Sequence, residues 1–233
     1  MRMDGMEMRA GRILGSLILL QIIAGGLVNF VLEAPLFGEP GFLVNAAAHS
    51  TRISVSVLVG IAAGLLPIAM AIAALPVFRR HSATLALFYV ALSAAAFALA
   101  VVENMNVMSL LSLSQAYARS DAAQHDLYQG LRVVVAAARN WAHYTGLIVS
   151  GITLFALYAA LFRFSLIPRL LAAFGLLAVA LQVIAVSMPL FGHEVVFPML
   201  WPLGICQLLL AGWLIARGFD GGSPVDVEAG ISP

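Results

Sequence analysis

The sequence predicts an all-α membrane protein, a polytopic bundle of about six transmembrane helices. Of its 233 residues, 62% are hydrophobic and only 10% are charged, whereas about 25% of the residues in an ordinary soluble domain are charged. In addition, the chain contains six apolar runs, each at least as long as the roughly 20 residues that a helix needs to cross a bilayer. We therefore expect one transmembrane domain over residues 13–217.

The first apolar run covers residues 13–32 and follows a segment, residues 1–12, that carries three arginines. A secretory signal peptide has an apolar region of only about 7–15 residues, and its cleavage site follows soon afterwards. The run here is longer, and the alanines at 46–48 lie well downstream of it. We interpret it as an uncleaved first span preceded by a cytoplasmic N-terminal segment.

The connection after the first span, residues 33–52, begins with glycine and proline breakers and then regains helical character over residues 42–50. This pattern predicts a loop followed by a short interfacial helix. The second span, residues 53–77, contains Gly60 and Gly64 four residues apart, a spacing that lets another helix approach closely.

The third run, residues 83–113, and the fourth, residues 131–162, are about ten residues longer than a bilayer requires. We expect both helices to tilt or to project past the membrane. The fifth span is predicted over residues 168–191 and the sixth over residues 195–216. Residues 218–233 are rich in glycine and polar residues and are predicted to form a disordered cytoplasmic tail.

The arginines predict the orientation of the bundle, because loops on the cytoplasmic side carry an excess of positive residues. With six spans, both termini lie on one side. Eight arginines fall on that side and four on the other, the first group being Arg2, Arg9, Arg12, Arg79, Arg80, Arg163, Arg169 and Arg217 and the second Arg52, Arg119, Arg132 and Arg139. We therefore expect both termini to be cytoplasmic.

Charged residues within spans are the first place to look for function. At 1.5 Å per residue, Glu103 and His143 lie roughly 30 Å from the cytoplasmic ends of spans three and four, at the outer interface. There we expect Glu103 to form an ion pair with Arg139. The candidate ligand-binding residues are Arg52, Glu103, Asn106, Arg132, Arg139, Asn140 and His143.

These residues have two interpretations. In one, they mark where the hydrocarbon ends and pair to hold spans three and four together. In the other, they line an outward-facing polar rim that binds a small ligand, a lipid or a partner protein, without catalysis. Transport is a weaker alternative, because the inner halves of the spans offer almost nothing polar beyond Gln21, Gln182 and Gln207.

A metal-dependent or haem-dependent enzyme is a further alternative, in which His49, His143 and His193 would ligate zinc or a haem from the outer side. No paired-histidine spacing supports it, so we predict no cofactor. The chain contains no lysine, which excludes Schiff-base chemistry, and the only cysteine, Cys206, has no partner for a disulfide. The net charge of +1 argues against nucleic-acid binding.

The fourth and fifth spans carry a recognisable pattern, in which Tyr144-Thr145-Gly146-Leu147-Ile148 leads through a small and apolar helix to Leu166-Ile167-Pro168-Arg169. This stretch resembles the DUF4386 family of bacterial membrane proteins, and weaker similarity extends back to the second span. The resemblance implies a multi-span protein of the bacterial inner membrane. It implies no activity, and the groups around Glu103 and Arg139 match no family motif.

Overall fold

A computed structural model gives the fold and describes residues 2–219. These residues form helices and connecting turns, with no β-strand among them. Six helices are long and apolar enough to cross a membrane, which confirms the predicted fold class. The chain is a multi-pass membrane protein.

Seven α-helices make up the described chain. Six of them are the predicted spans, and the short second helix lies between spans one and two. The helices are α1 (Arg2–Gly26, continued by a π-helix over Leu27–Glu33), α2 (Phe42–Asn45), α3 (Ser50–His81), α4 (Ala83–Ala118), α5 (His125–Arg163), α6 (Arg169–Ser187) and α7 (Trp201–Arg217).

The six long helices form a closed ring. Each long helix from α3 to α7 packs against the next one in the chain, and α1 packs against both α3 and α7. We call the end of the bundle where α1 begins and α7 ends the terminal end. The opposite end, where α2 lies, is the distal end. The ring encloses the space that the candidate site occupies.

The helices α4 and α5 are the longest, with 36 and 39 residues, as their apolar runs predicted. At 1.5 Å per residue, α5 is about 58 Å long, while the hydrocarbon core of a bilayer is roughly 30 Å thick. The surplus of α5 lies distal to Arg139, where most side chains from 131 to 138 are exposed.

The ends of the first and last spans differ in detail from the predicted bounds. Helix α1 begins at Arg2, because no proline interrupts the residues that precede the apolar run. Helix α7 begins at Trp201 after a 3-10 turn over Phe197–Leu200, because Pro198 and Pro202 delay the regular helix.

The segment predicted as a C-terminal tail begins with two packed residues. Gly218 and Phe219 lie against α1 and α3, and the ring centroid of Phe219 is 6.4 Å from that of Phe78. The rest of that segment, residues 220–233, lies outside the described residues.

Close helix packing fills the terminal half of the bundle. A Cβ atom on Gly175 of α6 would lie 2.2 Å from two ring carbons of the buried Tyr158 on α5, and one on Gly15 of α1 would lie 2.8 Å from the carbonyl oxygen of Ala211 on α7. Only glycine allows these approaches, and they bring backbones together without a hydrophobic driving force from water.

The turn between α5 and α6 contains the Leu166-Ile167-Pro168-Arg169 stretch. Leu166 and Ile167 are each 1% exposed, and Arg169 Nε donates a hydrogen bond of 3.2 Å to Ser165 Oγ. Pro168 precedes the first residue of α6 and cannot continue a helix from α5. This turn is a structural element of the terminal end.

The connection from α1 to α3 folds onto the distal part of α4. Ser114 Oγ donates a hydrogen bond of 2.7 Å to the carbonyl of Leu43 and accepts one of 2.8 Å from the backbone N–H of Ala47. Leu36 and Phe42 are buried there among Val107, Leu110 and Leu111. This packing fixes the distal end of α1 above the ring.

Candidate functional site

Four ionisable side chains meet near the distal end of the bundle, and we call them the distal cluster: Glu33 at the end of the π-helix, Glu103 on α4, and Arg139 and His143 on α5. Arg139 Nη2 lies 3.1 Å from Glu103 Oε1 and 3.4 Å from Glu33 Oε2. The predicted ion pair between Glu103 and Arg139 is therefore confirmed. The guanidinium group joins two carboxylates that come from different helices.

Two further contacts complete the distal cluster. His143 Nδ1 lies 2.9 Å from Glu103 Oε1, and Ser56 Oγ on α3 donates a hydrogen bond of 2.9 Å to Glu33 Oε1. The side chains of Glu33, Arg139 and Glu103 are 10%, 16% and 22% exposed. Charges with so little exposure interact strongly, because water screens them only partly.

One hydrogen-bond donor of the Arg139 side chain is unpaired among the described residues. Its Nε atom is buried and has no hydrogen-bond partner among the described residues. A buried polar group without a partner costs free energy of about 1–3 kcal/mol.

The position of Glu33 depends on the π-helix at the end of α1. This stretch continues the helix to Glu33, and the backbone around it is held by two hydrogen bonds, from Arg52 Nη2 to the carbonyl of Val31 and from Asn29 Nδ2 to the carbonyl of Gly25. π-helical turns are rare and occur frequently at functional sites.

The sequence interpretation missed Glu33 as a site residue and placed it at the start of a loop. One signal was available, because Glu33 ends an apolar run at the same side as the outer arginines. An acidic residue at that depth is a natural partner for a buried arginine.

A cavity of about 200 Å³ lies next to the distal cluster, and we call it the distal chamber. Helices α1, α3, α4 and α5 surround it. Its polar lining residues are Gln21, Asn29, Glu33, Glu103, Asn104, Arg139, His143 and Ser150. The chamber therefore presents charged and amide groups from three of these helices, α1, α4 and α5.

The lack of a side chain at Gly60 of α3 leaves room for the Asn104 side chain in the distal chamber. A Cβ atom on Gly60 would lie 2.8 Å from Asn104 Oδ1, so a larger residue would push the amide away. Gly64, one turn further, lies close to Phe97 and Ala100 of α4. The predicted close approach of a helix at these two glycines is confirmed, and the partner is α4.

A second cavity of about 180 Å³ adjoins the first on the terminal side, and we call it the inner chamber. The two chambers share Gln21, Pro67, Ala96 and Ser150 as lining residues. Most of the remaining lining is apolar, with polar atoms from Tyr89, Thr153 and Gln207. The two chambers are therefore neighbours, the distal one polar and the inner one mainly apolar.

Buried apolar side chains lie on the terminal side of the inner chamber. On α3, Ala74, Val77 and Phe78 follow the lining residue Met70 by one to two turns, and each has an exposed fraction of 0%. Phe78 also packs against the ring of Tyr89 at 5.8 Å.

The structure brings three of the seven predicted ligand-binding residues to the distal chamber, namely Glu103, Arg139 and His143. The other four do not line it. Arg52 donates to the carbonyl of Val31, and Asn106 donates to Val102 of its own helix. Arg132 and Asn140 are exposed on α5, because the surplus length of that helix carries Arg132 past the ring.

The three histidines of the metal or haem alternative have separate surroundings. His143 contacts Glu103, His49 Nδ1 lies 2.9 Å from the carbonyl oxygen of Asn45, and His193 is exposed between α6 and α7. Within residues 2–219, no group of three or more His, Cys, Asp or Glu side chains is placed to hold a metal ion.

Comparison with known proteins gives one match. No curated protein and no solved structure matches the chain. Residues 13–218 match the family described as a domain of unknown function, DUF4386. The match runs from within α1 to the end of α7 and includes every residue of the distal cluster and of both chambers. The chain therefore belongs to the DUF4386 family.

Proposed function

We propose that this protein is a non-enzymatic binding protein of the bacterial cytoplasmic membrane that holds a small molecule in the distal chamber. The observation that carries the proposal is the position of the distal cluster at a cavity. Burying charged groups costs several kcal/mol per ion before pairing offsets it, and a structural ion pair would serve equally well at a filled helix interface. Here the charged groups border open space.

The orientation in this proposal has cytoplasmic termini, so that the distal chamber faces away from the cytoplasm. The excess of arginines at the terminal end supports it. Two alanines allow a matched test: Ala123 in the distal connection and Ala83 at the terminal start of α4 are both exposed, and the native Cys206 is buried. A membrane-impermeant maleimide added to intact cells should label Ala123→Cys and not Ala83→Cys. The reverse pattern would place the chamber on the cytoplasmic side.

Filling the distal chamber tests the binding function. Ala63 lines the chamber, whereas the adjacent Ala62 is exposed on the outside of α3. The substitution Ala63→Leu should occupy the cavity, and Ala62→Leu adds the same atoms on the outer face. Both proteins, purified in detergent, are heated with a panel of primary amines, zwitterions, carboxylates and sugars. A molecule that binds the folded state raises the Tm.

We expect at least one class in the panel to raise the Tm of the wild type and of Ala62→Leu but not of Ala63→Leu. The proposal is wrong if no compound gives a Tm shift that depends on Ala63. A shift of equal size in all three proteins would show binding to the outer surface, which also contradicts the proposal.

Transport is a second candidate, and the inner chamber favours it. Gln21 and Gln207 both line this chamber, so polar groups extend from the distal cluster toward the terminal end. Transport requires a state in which the terminal side opens. Ala74 is fully buried there. An Ala74→Cys variant should react with an impermeant maleimide from the terminal side if such a state exists and stay unlabelled if the protein only binds.

A further inference from the structure

The distal chamber presents free hydrogen-bond acceptors on α4. Both recorded contacts of Glu103 use Oε1, so Oε2 has no partner among the described residues. Asn104 donates through Nδ2 to the carbonyl of Ala100 at 2.8 Å, which leaves Oδ1 as a free acceptor against Gly60. Both atoms belong to residues that line the chamber.

A third acceptor comes from the backbone of α3. Pro67 lies inside this helix and has no N–H, so the carbonyl of Ala63, four residues earlier, loses its helical hydrogen bond. Ala63 and Pro67 occupy the same face of the helix, and both line the distal chamber. A ligand with N–H donors would restore the missing hydrogen bond.

The charge of the lining has the same sign as these acceptors. The charged residues that line the distal chamber are Glu33, Glu103 and Arg139, so carboxylates outnumber guanidinium groups by two to one. Arg52 is not a lining residue, and its guanidinium donates to the carbonyl of Val31. A cation in the chamber would therefore balance the charge of the distal cluster.

The lining also distinguishes between kinds of cation. Quaternary ammonium groups are usually bound by the faces of aromatic rings, and no Phe, Tyr or Trp lines the distal chamber within the described residues. A primary ammonium group carries three N–H donors. It suits a lining of carboxylate, amide and carbonyl oxygens better than a trimethylated one does.

We infer that the distal chamber binds the primary ammonium head of an amphiphilic molecule whose apolar chain occupies the inner chamber. The inference rests on the proposed function and specifies its ligand. The head contacts the acceptors near Glu103, and the chain extends past Pro67 and Ala96 among the apolar side chains of Ile18, Met70 and Leu157. The ammonium could belong to a free amine or to a lipid headgroup, since both carry the same group.

Three probes with the same alkyl chain test the inference: octylamine, octyltrimethylammonium and octanoate. The apparent Kd of each is obtained from the rise of Tm with probe concentration for the wild type, Ala63→Leu and the matched control Ala62→Leu. We expect octylamine to bind at least about tenfold more tightly than octyltrimethylammonium, since one hydrogen bond between charged groups contributes that much. Octanoate should give no shift that depends on Ala63.

Substitutions in the chamber test the assigned contacts. Glu103→Gln should weaken octylamine binding about tenfold. It should not create binding of octanoate. If Glu103→Gln does not fold, Asn104→Leu removes the free acceptor Oδ1, together with the Nδ2 donor that bonds Ala100 of the same helix, and should weaken octylamine binding by a smaller factor. A variant of Asn104 that folds and binds octylamine like the wild type would contradict the inference.

Adding lipid to the micelles shows whether the natural ammonium ligand is a free amine or a lipid headgroup. Phosphatidylethanolamine, but not phosphatidylcholine, should raise the apparent Kd of octylamine if the natural ligand is a lipid headgroup. Equal effects of the two lipids identify a free amine. Equal or tighter binding of octyltrimethylammonium or octanoate, abolished by Ala63→Leu, would overturn the inference and leave the proposed function standing. If no probe and no panel compound gives a Tm shift that depends on Ala63, both the inference and the proposed function are wrong.

Discussion

The terminal and distal halves of the bundle are held together by different interactions. In the terminal half, glycines bring helices into contact, as at Gly175 against Tyr158, and the side chains around them are fully buried. Toward the distal end, helices α1, α3, α4 and α5 separate around the distal chamber, and polar contacts such as Arg139 with Glu33 and Glu103 join them. A membrane protein gains little from burying apolar groups against apolar lipid, so each half needs its own source of cohesion. The comparison predicts which substitutions each half tolerates.

The largest effect should come from removing the central cation of the distal half. Arg139→Met leaves two carboxylates, Glu33 and Glu103, close together without their shared partner. Breaking a buried ion pair in this way costs about 3 kcal/mol. The free energy of unfolding, measured by SDS titration in mixed micelles, should fall by that amount.

Arg132→Gln is the matched control for this prediction, because Arg132 lies on the same helix and is exposed. It should leave the free energy of unfolding almost unchanged. Equal effects of the two substitutions would mean that the distal cluster does not hold the distal half together.

The second prediction concerns the packing of the terminal half. Gly175→Ala places a methyl group 2.2 Å from two ring carbons of Tyr158, whose side chain is fully buried. Overpacking of this kind costs about 2 kcal/mol. Gly212→Ala on α7 is the control, because a Cβ atom there meets nothing within 4 Å. A Gly175→Ala protein as stable as the control would show that the terminal half has room that the close contacts do not indicate.

A smaller effect is expected at the link between α4 and the segment that precedes α3. Ser114→Ala removes the hydroxyl that bonds both Leu43 and Ala47, which should cost about 1 kcal/mol. Ser112→Ala is the control, since Ser112 is exposed and bonds only to Met108 of its own helix. The difference between the two free energies of unfolding measures the link. No difference would indicate that the apolar contacts of Leu36 and Phe42 hold the segment alone.

The two halves also differ in how far the sequence predicts them. Apolar runs set the number and length of the helices. The distances of Glu103 and His143 from the terminal ends of α4 and α5 placed both at one depth, so the contact of Glu103 with Arg139, one turn from His143, could be predicted. The contact of Glu33 with Arg139 could not be predicted, because a π-helix changes the helix face on which its last residues lie. No residue pattern in the sequence indicates this π-helix. The chambers could not be predicted either, since an empty space depends on how four helices diverge and not on any one of them.

The smallest effect should be at the ion pair of the terminal end, between Arg80 and Glu7. Arg80 Nη1 and Glu7 Oε1 are 3.0 Å apart, and the Arg80 side chain is 35% exposed, so water and salt screen the pair. Arg80→Gln should lower the free energy of unfolding by about 0.5 kcal/mol, and the loss should disappear in about 1 M salt, where the screening length is about 3 Å. Arg79→Gln, at an exposed neighbour, controls for the change in net charge. Because glycine contacts and buried apolar side chains close this end, its charges are expected to contribute little. A loss as large as that of Arg139→Met would mean that charge pairs hold both halves, and the contrast between them would then lie only in the chambers.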